Sequence, residues 1–436
     1  MQLAKKLTWL IPLSLLVVVG LYYLPPVHDR LAWRLDAARS QVKYFFNPPD
    51  QAVFQPEQTI DFDMILATTR AEYALTLTPQ VAATTATLPA GPTARPSATA
   101  TPLPASVDLK DFKYEDQHNR WNYCGPANFS MALNYWGWDG NRDVVGQFVK
   151  PSDKDKNVMP YEFQDFIAAD VPGMTSAMRY GGDIDLVKRL LAAGYPVVAE
   201  KGYYERDYAG KVGWMGHYQF ITGYDDATHE LIVQDTYNDG PNFHIPYAQF
   251  VEGWRSFNFV FVVVYPQDHD REVMSLLGPL ADEQVAARHA LELADREAQS
   301  LTGIDRFFAW FNAGTSHVAL NEYTDAALAY DYAFQLYAQL QDSDTTRPYR
   351  MMWYQTGPYF AYYYSARYAD VINLATTTLK DTIASPDLEE SLLWRGRANY
   401  MAGQTDLAVK DYRAALKIHP AWDPATQALQ DLGLQP

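Results

Sequence analysis

At 436 residues the chain is well beyond the size of one usual domain, so at least two folded units are expected. Asp plus Glu number 52 against 35 Lys plus Arg, a net charge of −17, which repels a polyanion and excludes nucleic acid as a partner. Hydrophobic residues at 48% and aromatics at 14% exclude global disorder, and the single cysteine excludes an internal disulfide or a cysteine-rich metal cluster.

Lys5 and Lys6 precede an uncharged run from Leu7 to Leu24, eighteen residues closed by Pro25 and Pro26. That length spans a bilayer. No small-x-small cleavage site follows it, so residues 1–26 read as an uncleaved anchor in preference to a removed signal. The two lysines set the N-terminus inside and the rest of the chain outside, the topology of a single-pass, extracytoplasmic bacterial protein, secreted if the segment is cleaved. Residues 27–77 form a juxtamembrane segment in which Arg30 to Phe46 reads as a helix lying on the membrane or on a partner. From Thr78 to Ser106, seven Thr, six Pro and eight Ala in 29 residues make a semi-stiff linker.

A solitary thiol outside the cytoplasm invites oxidation, so Cys124 calls for a reason. The segment from Tyr123 to Trp138 reads as a helix starting at the cysteine, with Pro126 in its first turn, Phe129, Leu133 and Trp136 on one face, and Gly137 as its C-cap. A thiol at a helix N-terminus faces free N–H groups and the positive end of the dipole, which favour the nucleophilic thiolate. A base is then needed. His217 opens a strand in which His217, Gln219 and Ile221 point one way while Tyr218, Phe220 and Thr222 point the other. A polar turn, Asp225 to Glu230, leads to a second strand, LIVQD. With the turn centred near Asp226, paired positions sum to about 452, so that His217 faces Asp235 across the hairpin. Directly opposed residues share a face, which lets the carboxylate orient the imidazole. Asp225 and Asp226 read as turn formers. The other histidines show neither HExxH nor His-x-His spacing, so no metal site and no cofactor are expected.

Cys-Gly-Pro-Ala at 124–127, Gly-His-Tyr at 216–218 leading into FITGYD, and an aspartate 18 residues after the histidine resemble the C39-like branch of papain-like cysteine peptidases. The segment 183–202, a helix, a Gly194 cap and a buried strand, is similar to the element these domains place before the histidine strand. The resemblance implies an α+β papain-like cysteine peptidase domain over residues 107–267. By the same resemblance Cys124 is the nucleophile, His217 the general base and acid, Asp235 the orienting residue and Gln117 the side-chain amide of the oxyanion hole. Gln117 departs from the family pattern, lying seven residues before Cys124 instead of six, with His118 at the usual place. The implied reaction is acyl transfer from a peptide or protein substrate, in a cleft between the Cys124 helix and the His217 sheet walled by Tyr123, Trp214, Tyr218 and Tyr237.

Residues 268–436 lack strand alternation and are rich in Ala, Tyr, Leu and Gln. Trp310, Gly314, Ala326, Tyr330 and Ala333 fit the tetratricopeptide (TPR) pattern, Gly396, Ala408, Tyr412, Ala415 and Pro420 fit a second copy 82 residues on, and a degenerate copy lies between them. The expectation is an all-α, TPR-like helical-repeat domain that binds a protein partner or an extended peptide. The whole chain then reads as a cysteine peptidase anchored by an N-terminal transmembrane helix. Its alternatives are a catalytically silent peptide-binding module and a cell-envelope scaffold.

Overall fold

The structure, a computed structural model, describes residues 14, 16–46, 54–57, 102–151, 157–206, 212–340, 347, 348, 350–380 and 388–436. The segment read as helical from Arg30 lies within α1 (Pro25–Phe46), which starts at the proline pair. Among the described residues no helix is long and apolar enough to cross a membrane. Part of the run Leu7–Leu24, and the linker as far as residue 101, lie outside the described residues.

The first unit is built on a seven-stranded antiparallel sheet of order β2-β7-β3-β4-β5-β6, with β1 also paired to β4. In chain order the elements are β1 (Ser106–Asp108), α2 (Cys124–Tyr135), α3 (Arg142–Val149), α4 (Pro160–Asp170), β2 (Met174–Arg179) and α5 (Ile184–Ala192). They continue with β3 (Val197–Arg206), β4 (Val212–Asp225), β5 (Glu230–Gln234), β6 (Phe243–Pro246), α6 (Tyr247–Arg255) and β7 (Phe261–Pro266). Ser106 pairs with Asp225, so the last linker residue belongs to the sheet. Alternation along the strands divides the core. Val198, Phe220, Val262 and Val264 pack with Phe129, Leu133 and Phe163 from α2 and α4. Val197, Ala199, Ile221 and Val263 pack instead with Leu186 and Leu190 of α5 and Trp254 of α6. Both faces are thus covered by helices, which is what two-sided apolar strands require. Asp183 caps α5 by accepting from the Leu186 amide at 2.7 Å, and Gly194 closes it at φ +88. Gly137 likewise ends α2 at φ +85, a conformation that costs glycine nothing.

The elements described after Pro266 are helices: α7 (Asp270–Leu277), α8 (Glu283–Ser300), α9 (Gly303–Ala319), α10 (Tyr323–Gln339), α11 (Met351–Tyr354), α12 (Gly357–Tyr364), α13 (Tyr368–Lys380), α14 (Glu389–Met401), α15 (Thr405–Ile418) and α16 (Asp423–Gln430). Three helix pairs, α9/α10, α12/α13 and α14/α15, turn through three-residue loops whose middle residues, Asn321, Ala366 and Gly403, have φ of 62, 59 and 77. Each loop closes with the same bond from its last amide to the carbonyl five residues back: Glu322 to His317 at 2.9 Å, Arg367 to Tyr362 at 2.8 Å and Gln404 to Asn399 at 2.8 Å. This is the Schellman closure. Within the first and third pairs a glycine receives an aromatic ring: a Cβ on Gly314 would stand 2.7 Å from the Tyr330 ring, and one on Gly396 would stand 2.5 Å from the Tyr412 ring. These are the small and aromatic positions picked out of the sequence. Gly314→Ala therefore overpacks a buried contact, and we expect a loss of about 1–3 kcal/mol, read as a fall of several degrees in Tm. An unchanged Tm would mean that Tyr330 moves freely.

Residues 54–57, assigned from the sequence to the juxtamembrane segment, pack on this helical region. Phe54 is buried, with its ring 5.0 Å from Phe334 and 6.0 Å from Tyr362, and the Glu57 amide donates to Asp370 Oδ1 at 2.9 Å. The two units also share a core: Trp214, Phe257 and Val260 lie in one cluster with Phe308, Met351 and Tyr354.

Candidate active site

Cys124 is the first residue of α2, and Asn128, one turn later, fixes that turn to the histidine strand. Its Nδ2 donates to Cys124 O and to Tyr218 O, both at 2.8 Å. Gly125 lets the helix start approach the sheet, because a Cβ there would lie 2.6 Å from Phe163 and 3.3 Å from Tyr218. His217 is buried in mid-β4. Its Nε2 lies 3.2 Å from Asp235 Oδ2, and Cys124 is near enough for its bond and charge to act on the imidazole. With Nε2 on the carboxylate, Nδ1 is the nitrogen left for the thiol. The Nε2 contact is not well aligned, yet both the bond to Asp235 and its charge favour the imidazolium.

The observed register differs from the expected one. Phe220 pairs with Gln234 and Ile221 with Val233, then Thr222 is an extra residue, and Gly223 pairs with Ile232. His217 therefore does not face Asp235 directly. Continuing the ladder brings Gln219 opposite Asp235, and Gln219 Nε2 donates to Asp235 Oδ2 at 2.9 Å. His217 is the diagonal neighbour on the same face, within reach of a carboxylate. The other oxygen, Oδ1, accepts from the amides of Tyr237, Asn238 and Asp239 at 2.8, 2.9 and 3.4 Å.

These contacts set the charges. Burial pushes the Asp235 carboxyl up, but the bond and charge of His217, the Tyr237 amide and Gln219 outweigh it and hold the group far below the usual carboxylate range. Burial likewise works against the imidazolium of His217, yet its bonds to Asp235 and Cys124 and their charges raise its pKa to about 9. The site is arranged to hold an imidazolium beside the Asp235 carboxylate.

Gln117 is half-buried against the loop that follows Asp235: its amide donates to Thr236 O at 2.9 Å, and its Oε1 accepts from Thr236 Oγ1 at 2.8 Å. Holding the carbonyl end leaves the carboxamide N–H₂ as the free donor. His118 is exposed, with its amide donating to Asp116 Oδ1 and its ring stacked on Tyr237 at 5.5 Å. Beside His217 and Asp235 a cavity of about 600 Å³ is lined also by Lys201, Tyr203, Trp214 and Tyr237. Of the four aromatics expected to wall a cleft, Trp214 and Tyr237 line this cavity, whereas Tyr123 and Tyr218 are buried packing residues. Asp225 does form the turn, accepting from the Ala227 amide at 2.8 Å, but Asp226 pairs with Lys188 of α5 at 2.7 Å. Elsewhere, Glu162, Glu389 and His419, and separately His317, Glu322 and Asp325, gather ligand-type atoms within 4.8 Å of one another. Several of these atoms are already engaged: Glu162 Oε2 accepts from the Met159 amide, and Glu322 pairs with His317 at 2.7 Å.

A sheet covered by helices on both faces, with a cysteine at a helix N-terminus, a histidine on a strand and an aspartate just past the end of the neighbouring strand, defines a papain-like α+β domain. Residues 109–262 match the model of the Peptidase_C39 like family, so the domain is C39-like. Similar solved structures include a Bacillus anthracis protein described as a C39-like peptidase, at 14% identity over 37% of this chain and 98% of that one, TM-score 0.31. Another is xylellain, a cysteine protease from Xylella fastidiosa, at 17% identity over 38% of this chain and 87% of that one, TM-score 0.30. No curated protein matches the chain.

Proposed function

We propose that the chain is a cysteine peptidase that hydrolyses peptide bonds with Cys124 as nucleophile, His217 as general base and acid, and Asp235 as the orienting carboxylate. The observation that carries this reading is the buried His217 held between Asp235 and Cys124. Thiolate Cys124 attacks the carbonyl carbon, and the oxyanion is held by the Cys124 amide and the Gln117 carboxamide. Imidazolium His217 then gives its proton to the leaving amine, leaving a thioester. Water, losing a proton to the neutral imidazole, attacks the thioester carbonyl and regenerates the thiolate–imidazolium pair. Asn119 and Asn122, at φ of 66 and 45, tighten the loop between Gln117 and Cys124, which supports Gln117 over His118 as the amide donor despite its extra residue. That observation favours an enzyme over a silent binding module. In this reading the run Leu7–Leu24 anchors the protein with its bulk outside the cell, and the helical region is a TPR-like module that receives a protein or peptide partner.

The test is the rate of iodoacetamide alkylation against pH, since only one thiol can react. We expect the intact protein to alkylate rapidly well below pH 8.5, the ordinary thiol range, and His217→Ala to follow an ordinary thiol curve. Identical curves for the two proteins would sink the peptidase reading.

A further inference from the structure

Glu200 lies on β3 opposite Tyr218 of β4. By strand alternation it is on the sheet face that packs against α2. It is 2% exposed, its Oε1 has no hydrogen-bond partner, and among the described residues no Lys or Arg pairs with it. It lines a cavity of about 310 Å³ between the two units. Met159, Met178 and Tyr180 wall the near side, and Val318, Tyr354 and Phe360 of the helical region wall the far side. Glu200 stands near Cys124: Tyr218, its partner across the strands, would lie 3.3 Å from a Cβ on Gly125, and burial and then the charge of Cys124 push the Glu200 carboxyl well above its ordinary range.

A buried carboxyl with an open oxygen is costly unless a ligand completes it. The apolar, aromatic walls suit a long aliphatic stem, and their ring faces favour a cation at its tip. A net charge of −17 draws basic peptides toward the protein. The 600 Å³ cavity contains His217, which protonates the leaving amine, so the Glu200 side is left for the acyl half of the substrate.

We infer that this cavity is the specificity pocket for the substrate residue on the acyl side of the scissile bond, taking a lysine or arginine side chain with Glu200 as its counter-ion. The inference rests on the peptidase reading above and adds a substrate class to it. It also gives the helical region a direct part in substrate selection.

The experiment compares the full chain with Glu200→Gln on four fluorogenic peptides that differ only in the acyl-side residue: Lys, Arg, norleucine and Gly. We expect kcat/KM for Lys or Arg to exceed that for norleucine at least tenfold in the native protein, and the ratio to fall to about one in Glu200→Gln. A parallel arm needs no turnover: n-butylguanidinium should raise the Tm of Cys124→Ala but not of Cys124→Ala with Glu200→Gln. Cleavage of all four peptides at similar rates overturns the pocket and leaves the peptidase reading intact. Absence of cleavage with Glu200-dependent binding leaves the pocket and removes the peptidase. Neither preference nor Glu200-dependent binding overturns the inference outright.

Discussion

Asp235→Asn is expected to lower kcat/KM for peptide hydrolysis by about a thousandfold or more while the protein stays folded. The amide carbonyl can take over from Oδ1 and accept the three backbone N–H groups of Tyr237, Asn238 and Asp239. The amide nitrogen then replaces Oδ2, and it meets two donors, Gln219 Nε2 at 2.9 Å and His217 Nε2 at 3.2 Å. A donor facing donors cannot hold an imidazolium. Burial, which disfavours the charged ring, is then opposed only by Cys124, so the His217 pKa falls from about 9. The sign follows from the raised value: in the native protein the imidazolium that protonates the leaving amine persists as pH rises and is lost only near pH 9. The upper limb of the pH–rate profile should lie there, and Asp235→Asn should move it to lower pH as well as lowering the plateau. A variant that keeps both rate and limb would show that Asp235 serves the loop and not the imidazole.

How the histidine and aspartate meet shows what a sequence can carry. Reading the strands by alternation puts His217 and Asp235 on one face, and that conclusion depends on parity alone. Next to the site the ladder is displaced by two residues from the expected pairing, which leaves His217 and Asp235 on one face. The parity itself depends on Thr222. Between Asp225↔Glu230 and Gly223↔Ile232 the pairing has the opposite parity, and the extra residue in β4 restores it before His217 is reached. Nothing local in FITGYD marks Thr222 as that residue.

The helix start, the Gly137 and Gly194 caps and the small and aromatic positions of two helix pairs were also legible, because each depends on a few neighbouring side chains. Asn128, Glu200 and Phe54 were not. Asn128 acts on a strand 90 residues away, Phe54 is buried by helices far along the chain, and Glu200 gains its meaning from a wall supplied by Tyr354 and Phe360. Such contacts have no period or motif, and only the tertiary fold brings them together.

The same contacts predict that the C39-like domain is not separable where the sequence divides it. A chain ending at Pro266 is expected to be insoluble or unfolded. Removal of the helical region bares Trp214, which stacks on Phe257 at 5.5 Å and abuts Phe308 at 5.8 Å and Tyr354 at 5.6 Å. Phe257 and Val260 are bared with it. Each such side chain contributes about 1.5–3 kcal/mol by burial. The cut also orphans the groups that span the boundary. Asn312 donates to Arg255 O and Gln355 to Ser256 O, both at 2.7 Å, and Asn258 donates to Ser316 Oγ at 2.9 Å. Arg179 donates to Leu280 O and Ala281 O at 2.9 and 2.6 Å, and the Arg255 guanidinium lies 2.9 Å from Glu297. Losing the partners of buried polar groups costs about 1–3 kcal/mol each. Together these losses rival the roughly 5–15 kcal/mol that holds a domain folded. The site is affected directly, because Gly216, next to His217, has the Tyr354 ring where a Cβ would stand, at 2.7 Å. Circular dichroism and thermal melts of residues 102–266 beside the full chain decide the matter. A soluble fragment that melts cooperatively within a few degrees of the intact protein would show that the helical region is an appendage, whereas loss of the transition would make it part of the peptidase fold.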